Sequence, residues 1–228
     1  MNKPFIGIMF AALVLPFAAS AAELETQEQK LGYIIGMDIG NSLKQQGTDI
    51  DLQALFDAVE TIYTGGEPAM TQEEANAVRQ AFIEERTAEM EAQQAQVGAK
   101  NAAEGEAFLL ENSTKEGVVQ TASGLQYQVI EAGEGATPVA TDRVRVHYRG
   151  TLLNGEEFDS SYSRGEPATF MLNQVIPGWT EGLQLMPVGS KYKFFIPGEL
   201  AYGPNGARTI EPNSTLIFEV ELLGIEEG

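Results

Sequence analysis

The stretch VIPGWTEGLQLMPVGSKYKFFIPGELAYG, residues 175–203, combines two kinds of local pattern. Its first part, GWTEGLQLM, spaces Trp179, Leu183 and Met186 as on one face of a short helix. Its second part, KYKFFIP, alternates lysines with large apolar residues, as a strand with one buried face does. Trp179 is the only tryptophan in the 228 residues. Its position fits either core packing or the floor of a binding site.

The alternation continues on both sides of this stretch. A period of two in several segments indicates a twisted antiparallel sheet with one buried face and one solvated face. The other predicted strands lie in GLQYQVI (124–130), DRVRVHYRG (142–150), ATFML (168–172) and TLIFEVELLG (215–224). In the first of them, Gln126 and Gln128 are expected on the solvated face. A sheet wrapped on one short helix predicts an α+β domain of about 110 residues over 118–228.

The chain before this domain has helical spacing. Residues 26–64 predict two helices, the second beginning after Asp51 and ending at Gly65 and Gly66. Helices this short cannot bury their apolar stripes alone, so they need a partner helix or a second chain. We therefore predict an all-helical domain over residues 23–70. The stripes consist of Leu31, Ile34, Ile35, Ile39 and Leu43, and of Leu52, Leu55, Phe56, Val59 and Ile62.

A long helix is predicted next, within a connecting segment of residues 71–117. Thr71 and Glu74 have the spacing of a capping box, and no proline interrupts the segment. Its later part, QAQVGAKNAAEGEAF, is polar on most faces, which is typical of a solvent-exposed connector. Gly98 and Gly105 weaken such a helix and are either hinges or simply tolerated.

The N-terminus has the pattern of a secretory signal peptide over residues 1–22. Lys3 precedes the apolar run FIGIMFAALVLPFAAS, and small residues allow cleavage after Ala21 or Ala22. The run is short for a membrane span, which disfavours the alternative of an uncleaved anchor. Cleavage removes Lys3 and changes the formal charge from −19 to −20. We predict a periplasmic protein without membrane insertion after cleavage, with outer-membrane or cell-surface association as a second outcome.

Composition and missing motifs exclude several function classes. The 33 acidic residues against 14 basic ones disfavour nucleic acid and anionic lipid as partners. The absence of cysteine excludes a disulfide framework, a thiol nucleophile and a cysteine zinc site. The single histidine, His147, is out of phase with Val146 and Tyr148, so it is expected to point away from the apolar face. A histidine-based triad or metal site is disfavoured, and we expect no cofactor and no metal.

Aromatic residues are the remaining candidates for a site. They come from different strands and loops, which is consistent with an apolar cavity that holds a small ligand. Asp159 follows Phe158 in EEFDSSYS, and the hydroxyl groups of Tyr148 and Tyr202 need partners if they are buried. Phe170 fits a core position and a pocket position equally well. The full set is Tyr148, Phe158, Phe170, Trp179, Tyr202 and Phe218.

At these residues the sequence resembles a known family. VHYRGTLLNGEEFDSSYSRGEPATF, the opening stretch and TLIFEVELL closely resemble the FKBP-type peptidyl-prolyl isomerases over about residues 120–226. GNSLKQQGTDIDL and TASGLQYQVI resemble the bacterial macrophage infectivity potentiator (Mip) group. The resemblance implies an isomerase that acts on Xaa-Pro bonds of exported, unfolded or proline-containing polypeptides and assists their folding. It also implies a homodimer through residues 23–70 with chaperone activity. A non-catalytic polypeptide-binding chaperone is the alternative function.

The resemblance also implies roles for individual residues. Catalytic positions fall on Asp159, Tyr148, Phe158, Tyr202 and Phe218. Substrate-binding positions fall on Val175, Ile176, Trp179, Phe170 and Ala168. Two features depart from many eukaryotic relatives: Ala168 replaces a pocket phenylalanine, and the loop GPNGARTIEPN is shortened and lacks the usual histidine. These departures leave open the substrate preference and the affinity for macrolide inhibitors such as tacrolimus and rapamycin.

Overall fold

The computed structural model describes residues 24–47 and 49–226, so the predicted signal peptide over residues 1–22 lies outside the described residues. The chain forms two compact units, which divide between Thr71 and Gln72. Among the described residues, no helix is both long enough and apolar enough to cross a membrane.

The first unit contains the two predicted helices, α1 (Gln27–Gln46) and α2 (Leu52–Tyr63). A capping box begins α1: Thr26 Oγ1 accepts from the Gln29 N–H at 3.2 Å, and Gln29 Oε1 accepts from the Thr26 N–H at 3.1 Å. Asp51 caps the start of α2 as predicted, because its carboxylate accepts two backbone N–H groups of the first turn at 2.8 and 3.0 Å.

The apolar stripes of α1 and α2 are exposed in the single chain. No described residue of either helix is buried. Leu31, Phe56 and Ile62 expose 60%, 59% and 61% of their surfaces. The two helices thus leave their stripes uncovered within this unit, as their length predicted.

The second unit begins with α3 (Gln72–Asn112), a continuous helix of 41 residues. The prediction of a solvent-exposed connector is wrong for its C-terminal part, because Gly98 and Gly105 are buried. A Cβ atom at Gly105 would overlap Thr215 Oγ1, and one at Gly98 would lie 3.1 Å from Pro212 Cβ. Close approach of the helix backbone to this loop gives both glycines a packing role.

The end of α3 also covers part of the outer face of the sheet. The rings of Phe108 and Phe195 lie 5.9 Å apart between centroids. Asn112 Nδ2 donates to Gln126 Oε1 at 2.9 Å, and Gln126 Nε2 donates to the Leu109 carbonyl at 2.8 Å. The expectation that Gln126 is solvated is therefore wrong: its residue is 1% exposed, because the helix covers it.

The sheet of the described second unit has seven strands in the order β1-β2-β6-β7-β3-β4, with β5 paired to β3. All the pairings are antiparallel, as predicted. The five predicted strands are present, whereas β1 and β4, of three and four residues, were not predicted. The strands are β1 (Val118–Gln120), β2 (Gln126–Glu131), β3 (Arg143–Leu152), β4 (Glu157–Ser160), β5 (Ala168–Met171), β6 (Lys191–Ile196) and β7 (Leu216–Glu226).

Two short helices complete the unit, α4 (Ser161–Arg164) and α5 (Pro177–Leu183). α5 crosses the inner face of the sheet, and Trp179 and Leu183 are buried there as predicted. Met186 is also buried, but it lies in the turn after the helix and not on its face. Proline at the first helical position suits this helix, because that position has no N–H to pair within the helix.

We expect Gly105→Ala to destabilise the second unit, although alanine favours a helix over glycine by about 1 kcal/mol. The added methyl group would overlap the buried Thr215 side chain, and overpacking of this kind costs about 1–3 kcal/mol. The net loss should lower the urea midpoint reported by the fluorescence of Trp179, the only tryptophan.

Adding Thr215→Ala to Gly105→Ala removes the overlapping atoms and should restore part of the lost stability. Gly224→Ala is the matched control, because a Cβ atom at Gly224 meets nothing within 4 Å. A Gly105→Ala protein at least as stable as the parent would contradict the docking of α3 on this loop.

Candidate active site: an aromatic cavity beside α5

A cavity of about 270 Å³ opens beside the N-terminal end of α5. Nine of the ten predicted site residues line it. The tenth, Ala168, is partly buried on β5 and packs against the hydrophobic core instead. Gln174 also lines the cavity but was not predicted. Its position next to Val175 is the one sequence feature that could have indicated it. The lining consists of Tyr148, Phe158, Asp159, Phe170, Gln174, Val175, Ile176, Trp179, Tyr202 and Phe218.

Trp179 lies at the centre of the aromatic cluster. Its ring meets those of Tyr148, Phe170 and Phe218 edge-on, at centroid distances of 5.1, 5.5 and 5.1 Å. Edge-to-face contacts are favourable for aromatic quadrupoles and hold each ring in one orientation. Trp179 is 4% exposed and belongs to the core, which confirms the core interpretation, and its ring also lines the cavity.

Gly150 on β3 makes room for the opposite side of the cavity. A Cβ atom at this position would lie 2.6 Å from Phe158 Cζ and 2.7 Å from Phe218 Cε1. The two rings pack edge-on with centroids 5.5 Å apart. A side chain at position 150 would push these rings apart, so the glycine is a requirement of the site.

Tyr148, Asp159 and Arg164 form a hydrogen-bonded network at the cavity edge. Tyr148 Oη donates to Asp159 Oδ2 at 2.5 Å and accepts from Arg164 Nη2 at 2.8 Å. Arg164 Nη1 donates to the other carboxylate oxygen of Asp159. Sequence reasoning did not find Arg164, which lies at the end of α4, the short helix that directly follows β4.

The network fixes the charge state of both acidic groups. Burial, followed by the hydrogen bond to Asp159, raises the pKa of Tyr148 to about 12. Burial alone would raise the pKa of Asp159, but the hydrogen bonds from Tyr148 and Arg164 and the charge of Arg164 outweigh it, so this pKa is lowered. Tyr148 is therefore neutral and Asp159 ionised at neutral pH.

Tyr202 forms the open rim of the cavity, where 40% of its surface is exposed. Burial and then the charge of Asp159 raise the pKa of Tyr202, while the charge of Arg208 opposes them. Arg208 lies in a tight turn between Ala207 and Ile210, with a positive φ of 50°. This turn belongs to the loop after Tyr202, and it places a cation near the rim.

The single histidine lies outside the cavity. His147 Nδ1 is 2.9 Å from Ser161 Oγ, and its ring stacks on Tyr162 with centroids 4.6 Å apart. Within the described part of the chain, no group of three or more His, Asp or Glu side chains is arranged to hold a metal ion. What the cavity itself offers is aromatic surface, the Tyr202 hydroxyl and one ionised, hydrogen-bonded carboxylate.

Two family models match the chain. The model described as FKBP-type peptidyl-prolyl cis-trans isomerase matches residues 134–223, which contain the whole cavity lining. The model described as the domain amino terminal to FKBP-type peptidyl-prolyl isomerase matches residues 28–129. The fold and the cavity therefore define the class of protein as an FKBP-type isomerase.

Individual relatives are similar to this chain over most of their length. The chain is 49% identical over 219 residues to the FKBP-type peptidyl-prolyl cis-trans isomerase FkpA of Aeromonas hydrophila, covering 93% of this chain and 81% of that one. It is 43% identical to the outer membrane protein MIP of Legionella longbeachae, with 97% and 96% covered. The crystal structure of FkpA from Escherichia coli matches with a TM-score of 0.74 at 40% identity, covering 89% and 98%. The chain belongs to the FKBP-type peptidyl-prolyl cis-trans isomerase family and is a peptidyl-prolyl isomerase.

We expect the effect of Arg164→Gln on stability to depend on pH. The folded pKa of Asp159 lies below its unfolded value, so its contribution is fully present above the unfolded pKa of about 4 and is lost as pH falls through the folded pKa. Without Arg164 this pKa rises. The difference in urea midpoint between parent and variant should be constant from about pH 5 to 7 and shrink below about pH 4.

Arg143→Gln is the matched control, since Arg143 is exposed and forms no ion pair among the described residues. The difference in urea midpoint between Arg143→Gln and the parent should stay constant over the same pH range. If the Arg164→Gln difference instead grew on acidification, the assignment of Arg164 as the group that lowers the pKa of Asp159 would be wrong.

Proposed function

We propose that this isomerase acts on Xaa-Pro bonds of exported polypeptides in the periplasm and binds the proline ring in the aromatic cavity. The observation that carries the proposal is the edge-on aromatic cluster around Trp179, beside an ionised Asp159 that is already hydrogen-bonded to Tyr148. An apolar cavity with a few convergent polar groups suits a ring that is itself apolar and lies between two amide groups.

Rotation about an Xaa-Pro bond needs no nucleophile. Amide conjugation gives the rotation a barrier of about 18–20 kcal/mol. In the twisted transition state conjugation is lost and the carbonyl becomes less polar. A cavity that excludes water removes solvent that would favour the planar, dipolar ground state. It also holds the proline ring while the preceding residue turns.

We assign the substrate-binding roles by position in the cavity. Trp179 forms the floor beneath the proline, and Val175 and Ile176 form the wall. Phe170 closes the side toward β5. Ala168 lies outside the lining, so we assign it an indirect effect through the space that its small side chain leaves. The Ile176 N–H and the Tyr202 hydroxyl donate to carbonyl groups of the bound polypeptide.

The catalytic roles follow from charge and exclusion of water. Asp159 and Tyr148 act electrostatically and by fixing the cavity geometry, because the reaction has no proton for a general base to remove. Phe158 and Phe218 keep water from the rotating amide, and Tyr202 holds the polypeptide at the rim. Tacrolimus and rapamycin are proposed to compete for the same cavity.

We expect Asp159→Leu to lower kcat/KM for the tetrapeptide Ala-Leu-Pro-Phe about tenfold, which corresponds to about 1.4 kcal/mol of transition-state stabilisation. A protease-free isomerisation assay measures the rate, and Trp179 fluorescence checks that the variant is folded. Glu156→Leu is the matched control, because Glu156 is an exposed acid three residues away that does not line the cavity.

An unchanged rate for Asp159→Leu would contradict the catalytic role of this carboxylate. Saturating tacrolimus should abolish the parent activity if it occupies the same cavity. A parent protein without activity on any Xaa-Pro peptide would favour the non-catalytic binding module instead.

Export and dimerisation are part of the proposal. Export is supported by the N-terminal pattern of positive charge, apolar run and small residues. Dimerisation through residues 23–70 is supported by the exposed stripes of α1 and α2, which a second chain would cover. A chaperone role is the second candidate function, since two linked cavities bind a long client with avidity.

We expect a fragment of residues 96–228 to be monomeric and to keep tetrapeptide activity. It lacks both exposed stripes but retains Gly98, Gly105, Phe108 and Asn112, which pack on the sheet. Its affinity for a long unfolded client should fall about tenfold or more, because avidity is lost. Sedimentation gives the oligomeric state, and anisotropy with a labelled unfolded protein gives the affinity.

A fragment of residues 118–228 is the informative comparison. It would leave Gln126 without Asn112 and Phe195 without Phe108, so it should unfold at lower urea than the 96–228 fragment. A dimeric 96–228 fragment would place the dimer interface outside residues 23–70.

A further inference from the structure

A groove of about 500 Å³ lies between α3 and the isomerase sheet, separate from the aromatic cavity of about 270 Å³. One wall is a single face of α3, because Glu106, Leu109 and Leu110 are spaced by three and four residues. The opposite wall includes Gln120 of β1 and the Pro197–Glu199 segment after β6. None of the residues that line the aromatic cavity lines this groove.

The groove combines apolar surface with uncompensated negative charge. Leu110 exposes 73% of its surface, and Leu109 is partly buried beside it. Glu106 and Glu199 form no ion pair within the described residues, and no lysine or arginine lines the groove. An occupant that matches this chemistry carries both basic and apolar side chains.

Two other acidic residues of α3 near the groove differ in this respect. Glu104 pairs with Lys100 at 3.8 Å, and Glu111 pairs with Lys115 at 3.3 Å. Glu106 and Glu199 therefore remain available to a partner, whereas Glu104 and Glu111 are paired within the chain.

One loop joins the groove to the aromatic cavity. Glu199 lines the groove and Tyr202 lines the cavity, three residues further along the chain. Gly198–Leu200 form a tight 3-10 turn, so the Cα atoms of Glu199 and Tyr202 lie closer together than the roughly 10 Å that three extended residues would span. The groove and the cavity therefore have this loop as a common border.

We propose that this groove binds the segment of a client polypeptide that flanks the proline, and that it selects segments carrying both basic and apolar residues. The inference rests on the proposed function, because it requires the proline to occupy the cavity. It adds a second determinant of substrate choice that a tetrapeptide is too short to reach.

The test uses the full-length protein and three peptides with one Leu-Pro bond each. One is Ala-Leu-Pro-Phe; the others extend it on both sides with Leu-Lys-Leu-Lys or with Leu-Glu-Leu-Glu, and NMR exchange spectroscopy gives the isomerisation rates. The parent protein should show a KM about threefold to tenfold lower for the lysine peptide than for the glutamate peptide, as expected for exposed charge pairs. This preference should disappear at 1 M salt, where the Debye length is about 3 Å.

The double variant Glu106→Gln, Glu199→Gln should lose most of the preference while keeping the tetrapeptide kcat/KM. Leu110→Ser should raise KM for both long peptides, and Leu110 is exposed enough for the change to leave folding intact. The matched control is Glu116→Gln with Glu134→Gln, which removes the same charge at exposed positions outside the groove. This control should keep the preference.

A lysine preference that survives Glu106→Gln, Glu199→Gln would overturn the proposal, as would an equal loss of preference in the control. Absence of tetrapeptide turnover by the parent would reject the proposed function instead. Fluorescence anisotropy with labelled lysine and glutamate peptides would then still decide whether the groove binds the basic segment.

Discussion

The close approach of α5 to the sheet is the contact on which the rest of the isomerase unit depends. A Cβ atom at Gly178 would lie 2.5 Å from Ile196 Cγ2, and one at Gly182 would lie 2.7 Å from Phe194 Cε1. A larger residue at either position would lift the helix, because protein interiors have no spare volume. Because the helix packs closely on the sheet, the Trp179 ring contacts three aromatic rings edge-on and lines the cavity instead of filling it.

The same side chains serve as core and as site, which explains why the cavity persists. Tyr148, Trp179 and Phe218 are each 4% exposed and belong to the hydrophobic core, yet each lines the cavity. Rigid rings locked edge-on cannot collapse into the space as flexible aliphatic chains would. Trp179 Nε1 is buried without a hydrogen-bond partner among the described residues. An unpaired buried donor costs about 1–3 kcal/mol, and such costs are tolerated mainly where function requires the arrangement.

Local periodicity predicted the larger elements but not what covers them. Alternation identified the long strands and the face of α5, because burial on one side leaves a period of two or 3.6 in the sequence. It missed the docking of α3, since glycines that allow close approach are read equally well as helix-weakening residues. Burial of Gln126 was also missed. A glutamine whose amide pairs with Asn112 in the interior cannot be distinguished, from sequence alone, from a glutamine exposed to solvent. The cavity positions came from the resemblance to a family, while the contact of Arg164 with Asp159 depends on the path of the chain from β4 into α4, which the alternation of residues did not indicate.

The distribution of charge separates recognition of the proline ring from recognition of charged residues in a polypeptide. The chain carries a formal charge of −19, yet the carboxylate of Asp159 at the cavity edge is paired with Arg164 and hydrogen-bonded to Tyr148. Local pairing compensates the charge of Asp159 and, because the pKa of Asp159 is lowered, its ionisation does not change across the neutral range. A proline ring is uncharged, so its recognition should depend little on salt or pH. Recognition of charge in a polypeptide must then come from surfaces outside the cavity, where carboxylates such as Glu199 are unpaired and screening by salt acts fully.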